Sequence, residues 1–256
     1  MEKFSPAESG VVAVIPARYG SSRLPGKPLA EIGGRPMILW VVERAAAMAV
    51  VEEVAVATDS EAIARVVEGA GFPAVMTRPD HPSGTDRIAE AARALGLPPE
   101  AVVVNIQGDQ PLVEEGPVAG MVELLQAGRF SMTTCATPLD PAELHDPNRV
   151  KVVVDLQGRA LYFSRSPIPY DRDGRMGELG MVHLRHLGLY AYRNRFLQRF
   201  VELPVGRLEQ VEQLEQLRAL ENGYSIGVAL VDHAPPDVDT PEDLHRVARI
   251  MAQGGA

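Results

Sequence analysis

The alternation of short apolar runs with helix-period segments in the first half constrains this chain most. Residues 11–15, 54–57 and 101–106 read as strands that are apolar nearly throughout rather than at every second position. A strand reads this way when both of its faces are covered, as in a parallel sheet packed beneath helices. Residues 74–76 add a shorter strand. Between these runs, Pro36 fits the first position of a helix over 36–49. Thr58-Asp59-Ser60 supplies an N-cap for a helix ending near Ala70 and Gly71, and a further helix is predicted over 85–95. The order predicts an α/β fold with a mostly parallel, twisted sheet and helices on both faces. Ligands of such sheets bind beyond the carboxyl ends of the strands. The polar loops after Ile15, Met76 and Ile106 are therefore expected to share one crevice.

The second half is more mixed. Strands are predicted over 131–136, 150–154, 161–163, 187–192 and 226–231, and helices over 195–201, 208–221 and 241–251. The stretch 165–185 carries Pro167, Pro169, Gly174, Gly177 and Gly180, and a loop of that length reads as a lid or a dimer arm. No linker or repeat interrupts the chain, so one domain over 1–256 is expected, with 1–9 frayed. A formal net charge of −9 argues against a partner nucleic acid held by the overall field. No apolar stretch reaches the roughly 20 residues of a spanning helix, which argues against a membrane partner. The start of the chain has no apolar signal region, so a cytoplasmic location is expected. The lone cysteine, Cys135, lies in an apolar run and reads as a small buried residue.

The loop after the first strand is the most informative stretch. Pro16-Ala17-Arg18-Tyr19-Gly20-Ser21-Ser22-Arg23-Leu24-Pro25-Gly26-Lys27-Pro28 sets three cations among small residues that let the backbone approach a ligand. Backbone N–H groups in such a loop form an anion-binding concavity, and the cations neutralise phosphate charge. Lysine is scarce, with Lys3, Lys27 and Lys151 the three among 25 basic residues. Lys27 therefore stands out as a flexible point charge suited to a triphosphate. The dinucleotide and Walker fingerprints are both absent from the sequence.

Two aspartates sit where carboxylates would meet that loop. Asp109 ends the 101–106 strand, and Asp239 precedes a helix opening at Pro241. Each has two readings: a ligand for Mg²⁺, or a turn residue for Asp109 and a helix cap for Asp239. On the predicted helix 208–221, Leu208, Val211 and Leu214 define an apolar arc in which Glu215 and Arg218 also project. A carboxylate there needs a partner, either a ligand or Arg218 itself.

Several of these stretches resemble one family. They are 15–29, Thr77-Arg78-Pro79-Asp80-His81-Pro82-Ser83-Gly84-Thr85-Asp86-Arg87, Val104-Asn105-Ile106-Gln107-Gly108-Asp109-Gln110-Pro111 and Leu161-Tyr162-Phe163-Ser164-Arg165. Arg185-His186-Leu187-Gly188, Leu214-Glu215-Gln216-Leu217-Arg218 and Val238-Asp239-Thr240-Pro241-Glu242-Asp243-Leu244 follow in order. Together they resemble the 3-deoxy-manno-octulosonate cytidylyltransferases, also called CMP-Kdo synthetases, over nearly the whole chain. The resemblance implies a Rossmann-like nucleotidyltransferase fold and transfer of CMP from CTP to an acidic sugar, Kdo, for lipopolysaccharide synthesis. It also implies Mg²⁺ as cofactor and a homodimer.

By the same resemblance, Ala17, Arg18, Ser21, Ser22, Arg23, Lys27, Arg78, Ser83 and Gly84 contact the nucleotide. Arg18, Arg23, Lys27 and Asp109 act in the chemistry, and Asp109 with Asp239 holds the metal. Gln107, Arg165, His186, Tyr190, Glu215 and Gln216 match the sugar positions. The chain departs from the family's usual glutamate at Asp86 and at Gln110. Cytidylyltransferases for sialic acid or amino-substituted Kdo are the nearest alternatives. A glycosyltransferase or a non-catalytic CTP-binding protein would be a different class.

Overall fold

A computed structural model of the chain describes residues 6–20 and 24–254. The chain divides into two compact units, Met1–Glu115 with Arg193–Leu197 and Pro235–Ala256, and Gly116–Tyr192 with Gln198–Ala234. The α/β character expected from the sequence is present in both.

The first unit contains β1 (Val11–Ala17), β2 (Glu31–Ile32), β3 (Arg35–Pro36), α1 (Met37–Ala46), β4 (Glu53–Thr58) and α2 (Glu61–Gly69). It continues through β5 (Ala74–Met76), α3 (Gly84–Ala94) and β6 (Val102–Asn105), and ends in the helix Pro241–Gly254. Its sheet runs β6-β1-β4-β5 with every pairing parallel, Ala13 lying opposite Val104 on one side and Val54 on the other. Val12, Ala13, Val14 and Ile15 are fully buried. Each Val or Ile so buried contributes roughly 1.5–3 kcal/mol, which explains the unbroken apolar run.

Several expected boundaries shift, among them the end of the helix expected over 36–49, which stops at Ala46; two of the shifts involve prolines. β1 runs through Pro16 to Ala17, because its ladder to β6 ends at Val14 opposite Asn105. Beyond that point β1 is an edge on that side, where a residue lacking an N–H is tolerated. Pro36 pairs with Glu31 in the short β2-β3 ribbon, and α1 starts one residue later.

The second unit contains α4 (Glu115–Gln126), β7 (Met132–Pro138), β8 (Lys151–Val154), β9 (Ala160–Ser164) and β10 (Leu184–Arg193). After α5 (Asn194–Phe200) come α6 (Arg207–Glu212), α7 (Leu217–Glu221) and β11 (Ile226–Leu230). β11 pairs parallel with β7, while β10 pairs antiparallel with β7 and β8, and β9 antiparallel with β8. Cys135 is fully buried on β7, where desolvation pushes its thiol up to about 12.

The continuous helix expected over 208–221 is two helices. Gln213 adopts a left-handed conformation (φ 53°) between α6 and α7, and Val211 is 83% exposed, so the predicted arc faces no single core. A tertiary contact holds the break. Arg165 Nε donates to the Glu212 carbonyl (2.7 Å) and Nη2 to the Gln213 carbonyl (3.2 Å), occupying acceptors that a continuing helix would use.

Candidate active site

In the first unit, the loops after β1, β5 and β6 do converge on one crevice of about 320 Å³. Its lining includes Ala17 and Arg18 from β1 and its loop, His81, Ser83 and Gly84 from the loop and helix after β5, and Gln107 to Asp109 after β6. A Cβ at Gly108 would lie 2.9 Å from the Pro16 carbonyl oxygen, so a side chain there would force the β1 and β6 ends apart.

Lys27 forms the polar floor. Its Nζ donates to Asp109 Oδ2 (2.7 Å), the Val238 carbonyl (2.9 Å) and Asp239 Oδ1 (3.1 Å), matching three donors to three acceptors. Burial works against the charge, but the Asp109 and then the Asp239 carboxylates outweigh it and hold the ammonium above its ordinary pKa. Val238 is fully buried in a cluster with Ile32, Met37 and Val247, and its N–H donates to the Asp109 carbonyl (2.9 Å). That anchor fixes Asp239 beside Asp109.

The alternative readings of the aspartates now separate. The C-terminal helix is capped by Thr240 and Asp243, which exchange hydrogen bonds between Asp243 N–H and Thr240 Oγ1 (3.2 Å) and Thr240 N–H and Asp243 Oδ2 (3.1 Å). The Asp239 side chain is therefore not the cap and turns to Lys27. Asp237 and Asp239 share Asp-x-Asp spacing, yet the Asp237 carboxylate accepts from Gln110 Nε2 (2.9 Å). The Lys27 ammonium acts as a stand-in cation, showing that Asp109 and Asp239 converge on one position. Among the described residues no group of three or more His, Cys, Asp or Glu could hold a metal. Two carboxylates fit Mg²⁺, whose remaining ligands are commonly phosphate oxygens and waters.

The other nucleotide candidates are distributed unevenly. Arg18 is exposed at the crevice and has no carboxylate partner among the described residues. Ser21, Ser22 and Arg23 lie outside the described residues. Ser83 caps α3, its Oγ accepting from the Asp86 N–H (3.2 Å) and donating to Asp86 Oδ2 (2.6 Å). Arg78 does not line the crevice; its Nε lies 3.5 Å from Glu90, which also holds the lining residue His81. Arg87, given no role from sequence, also lines the crevice and bonds Thr77 Oγ1 (2.5 Å) and Asp59 Oδ2 (2.9 Å). Its signal was position, a cation on the buried side of α3 beside Ile88 and Ala91.

The remaining sugar candidates, apart from Gln107, lie in the second unit. His186 and Tyr190 have ring centroids 5.4 Å apart. Burial raises the Tyr190 pKa well above its ordinary value, helped by Tyr192 and then Glu215, which places Glu215 in the same neighbourhood. Gln216 is buried, and its Nε2 has no hydrogen-bond partner among the described residues. A buried donor left so is costly unless a ligand accepts from it. The Arg165 guanidinium donates to three backbone carbonyls, those of Pro147, Glu212 and Gln213. Arg218 forms a two-pronged bond with Glu209 (2.6 and 2.9 Å) and stacks over Phe200. Gln107 belongs to the first unit and donates to Asn105 Oδ1 (3.1 Å).

A parallel sheet with a cationic loop at one strand end, opposite two converging carboxylates, defines a nucleotide-binding α/β protein. Comparison with known proteins narrows this. Residues 12–226 match the family described as Cytidylyltransferase. The 3-deoxy-manno-octulosonate cytidylyltransferase of Syntrophobacter fumaroxidans is 53% identical over 95% of this chain and 97% of its own. The 8-amino-3,8-dideoxy-manno-octulosonate cytidylyltransferase of Shewanella sp. (strain W3-18-1) is 48% identical over 95% and 99%. A solved structure of CMP:2-keto-3-deoxy-manno-octonic acid synthetase complexed with CTP superposes with a TM-score of 0.90, at 44% identity over 96% of this chain and 100% of that one. The chain belongs to the 3-deoxy-manno-octulosonate cytidylyltransferase family.

Proposed function

We propose that the protein transfers CMP from CTP to the anomeric hydroxyl of 3-deoxy-D-manno-octulosonate, giving CMP-Kdo and pyrophosphate, with Mg²⁺ as cofactor. One observation carries the chemistry: a single cation position shared by Asp109 and Asp239, in the crevice that Arg18 also lines. The sugar hydroxyl attacks the α-phosphorus in line, and pyrophosphate leaves from the opposite side. Arg18, Arg23 and Lys27 supply positive charge where negative charge gathers on the leaving pyrophosphate. Asp109 and Asp239 would hold Mg²⁺, which when bound polarises phosphoryl oxygens and offsets their charge. Ser83, Gly84 and the N-terminus of α3 border the nucleotide; Arg165 attracts the sugar carboxylate, and His186, Tyr190, Glu215 and Gln216 meet its hydroxyls.

Pyrophosphate release from CTP with Mg²⁺ and a panel of Kdo, 8-amino-Kdo and sialic acid tests this. Release with Kdo above the others supports it, and no release with any acidic sugar removes it in favour of a CTP-binding protein or another transferase. The amino-Kdo reading is the second one, because relatives of that name are 48% and 50% identical to this chain. We also infer a homodimer, supported by the exposed apolar residues Leu179, Met181 and Val182 in the 165–185 stretch. Sedimentation as a monomer would overturn that inference. Cytoplasmic location accords with use of CTP. Among the described residues, no helix is long and apolar enough to cross a membrane.

A further inference from the structure

β7 and β10 pair with an irregularity that involves two functional candidates. His186 lies opposite Ala136 and Tyr190 opposite Thr134, so residues 187–189 of β10 face Cys135 alone. Gly188, at φ 66°, allows the chain to turn out in this bulge. The Thr134 hydroxyl, fully buried, lies 2.6 Å from the carbonyl oxygen of Leu189 inside the bulge and 2.8 Å from His186 Nε2.

A hydroxyl has one proton, and a carbonyl can only accept. Thr134 therefore donates to Leu189 and must accept from His186, whose Nε2 carries the ring proton. A neutral imidazole with a protonated Nε2 has a bare Nδ1. That nitrogen has no hydrogen-bond partner among the described residues, and His186 is partly exposed. Phe163 packs at 73° to the ring with centroids 5.0 Å apart, and burial followed by Arg185 lowers the imidazole pKa to about 3, which favours the neutral ring.

We propose that Thr134 is a positioning residue that locks His186 as its neutral Nε2–H tautomer, so that Nδ1 accepts a hydrogen bond from a hydroxyl of the sugar. His186 then discriminates hydroxyls and lends no charge to the acidic group. This rests on the proposed sugar site for its ligand but not for its tautomer.

Long-range ¹H–¹⁵N spectra of the ¹⁵N-labelled free protein, with His186 assigned from His186→Gln, read the tautomer directly. The expected result is a protonated Nε2 and a bare Nδ1 at neutral pH. An Nδ1–H tautomer or an imidazolium would overturn the proposal without recourse to any variant. Thr134→Val removes the hydroxyl at nearly constant volume and is expected to release the lock. The sugar KM should rise about fivefold, the effect of one neutral hydrogen bond, with the CTP KM unchanged. Thr134→Ser should restore both tautomer and KM. A folded Thr134→Val enzyme with wild-type tautomer and sugar KM would also overturn it, as would an unchanged sugar KM in an active His186→Phe enzyme. Absence of pyrophosphate release from the wild type with every sugar would instead remove the proposed function, and with it the sugar as Nδ1's ligand, while the spectra still decide the tautomer.

Discussion

The Nζ of Lys27 lies 2.7 Å from Asp109 Oδ2, joining residues 82 positions apart at the floor of the crevice. Their side chains are 15% and 28% exposed, so the pair is incompletely screened by water. Asp239 completes the arrangement at 3.1 Å. One ammonium thus faces two carboxylates in the free protein and offsets half of their charge.

Lys27→Met should separate the two roles of this ammonium. In the free protein, removing the competing cation leaves two facing carboxylates, and Mn²⁺ binding should tighten roughly tenfold or more. Turnover should nevertheless fall on the order of 10²-fold, through loss of charge on the triphosphate. Titration of the free protein followed by Mn²⁺ paramagnetic resonance checks the first effect. Unchanged Mn²⁺ affinity in a folded variant would contradict the shared cation position.

Asp239→Ala should reduce turnover on the order of 10²–10³-fold with little change in melting temperature, because Thr240 and Asp243 cap the helix without it. Thr240→Ala should do the reverse, costing about 1 kcal/mol of stability. Measuring both variants for turnover and thermal unfolding tests the division. A stability loss in Asp239→Ala would restore its reading as a cap.

Much of this site was legible in sequence, and what was missed has a physical cause. Lys27 stood out because lysine is rare here, and Asp109 because it ends a buried strand. Their pairing depends on Val238, whose burial against Ile32 and Met37 brings in a segment 211 residues away, which no local pattern reports. The parallel strands of the first unit were readable because each must be apolar on both faces. The break at Gln213 was not, because strong helix formers surround it and the cause is Arg165, distant in sequence. Likewise Thr134 reads as an ordinary strand residue until the β10 bulge gives its hydroxyl two partners.

His186 should leave a mark on acid stability. Its pKa stands near 3 in the folded protein, through burial and then Arg185, against about 6.5 in an unfolded chain. Below pH 6.5 the unfolded state takes up a proton that the folded state refuses, so the stability present above 6.5 is lost as pH falls toward 3. The loss is at most about 1.4 kcal/mol per pH unit. Between pH 7 and pH 5 the wild type should lose about 2 kcal/mol more than His186→Gln in denaturant titrations. Parallel pH profiles would show that the ring is charged in the folded state.

Glu209 and Glu215, which the sequence places on one helix, have different surroundings. Glu209 faces Arg218 with side chains 12% and 9% exposed, and that guanidinium also lies over Phe200. Glu209→Ala removes the carboxylate that holds both prongs of a buried guanidinium, a change that costs about 3 kcal/mol. It should lower the melting temperature and leave the sugar KM of the folded enzyme nearly unchanged. Glu215 sits near Tyr190, which in turn lies beside His186. Glu215→Gln keeps size and some hydrogen-bonding capacity but removes charge assistance, worth roughly 1.5–3 kcal/mol in a bond to a ligand hydroxyl. The sugar KM should therefore rise about tenfold or somewhat more, with the CTP KM and melting temperature little changed. Melting curves and sugar KM values for both variants decide the assignment. Wild-type sugar kinetics with lowered stability in Glu215→Gln would move Glu215 from the sugar pocket to the framework.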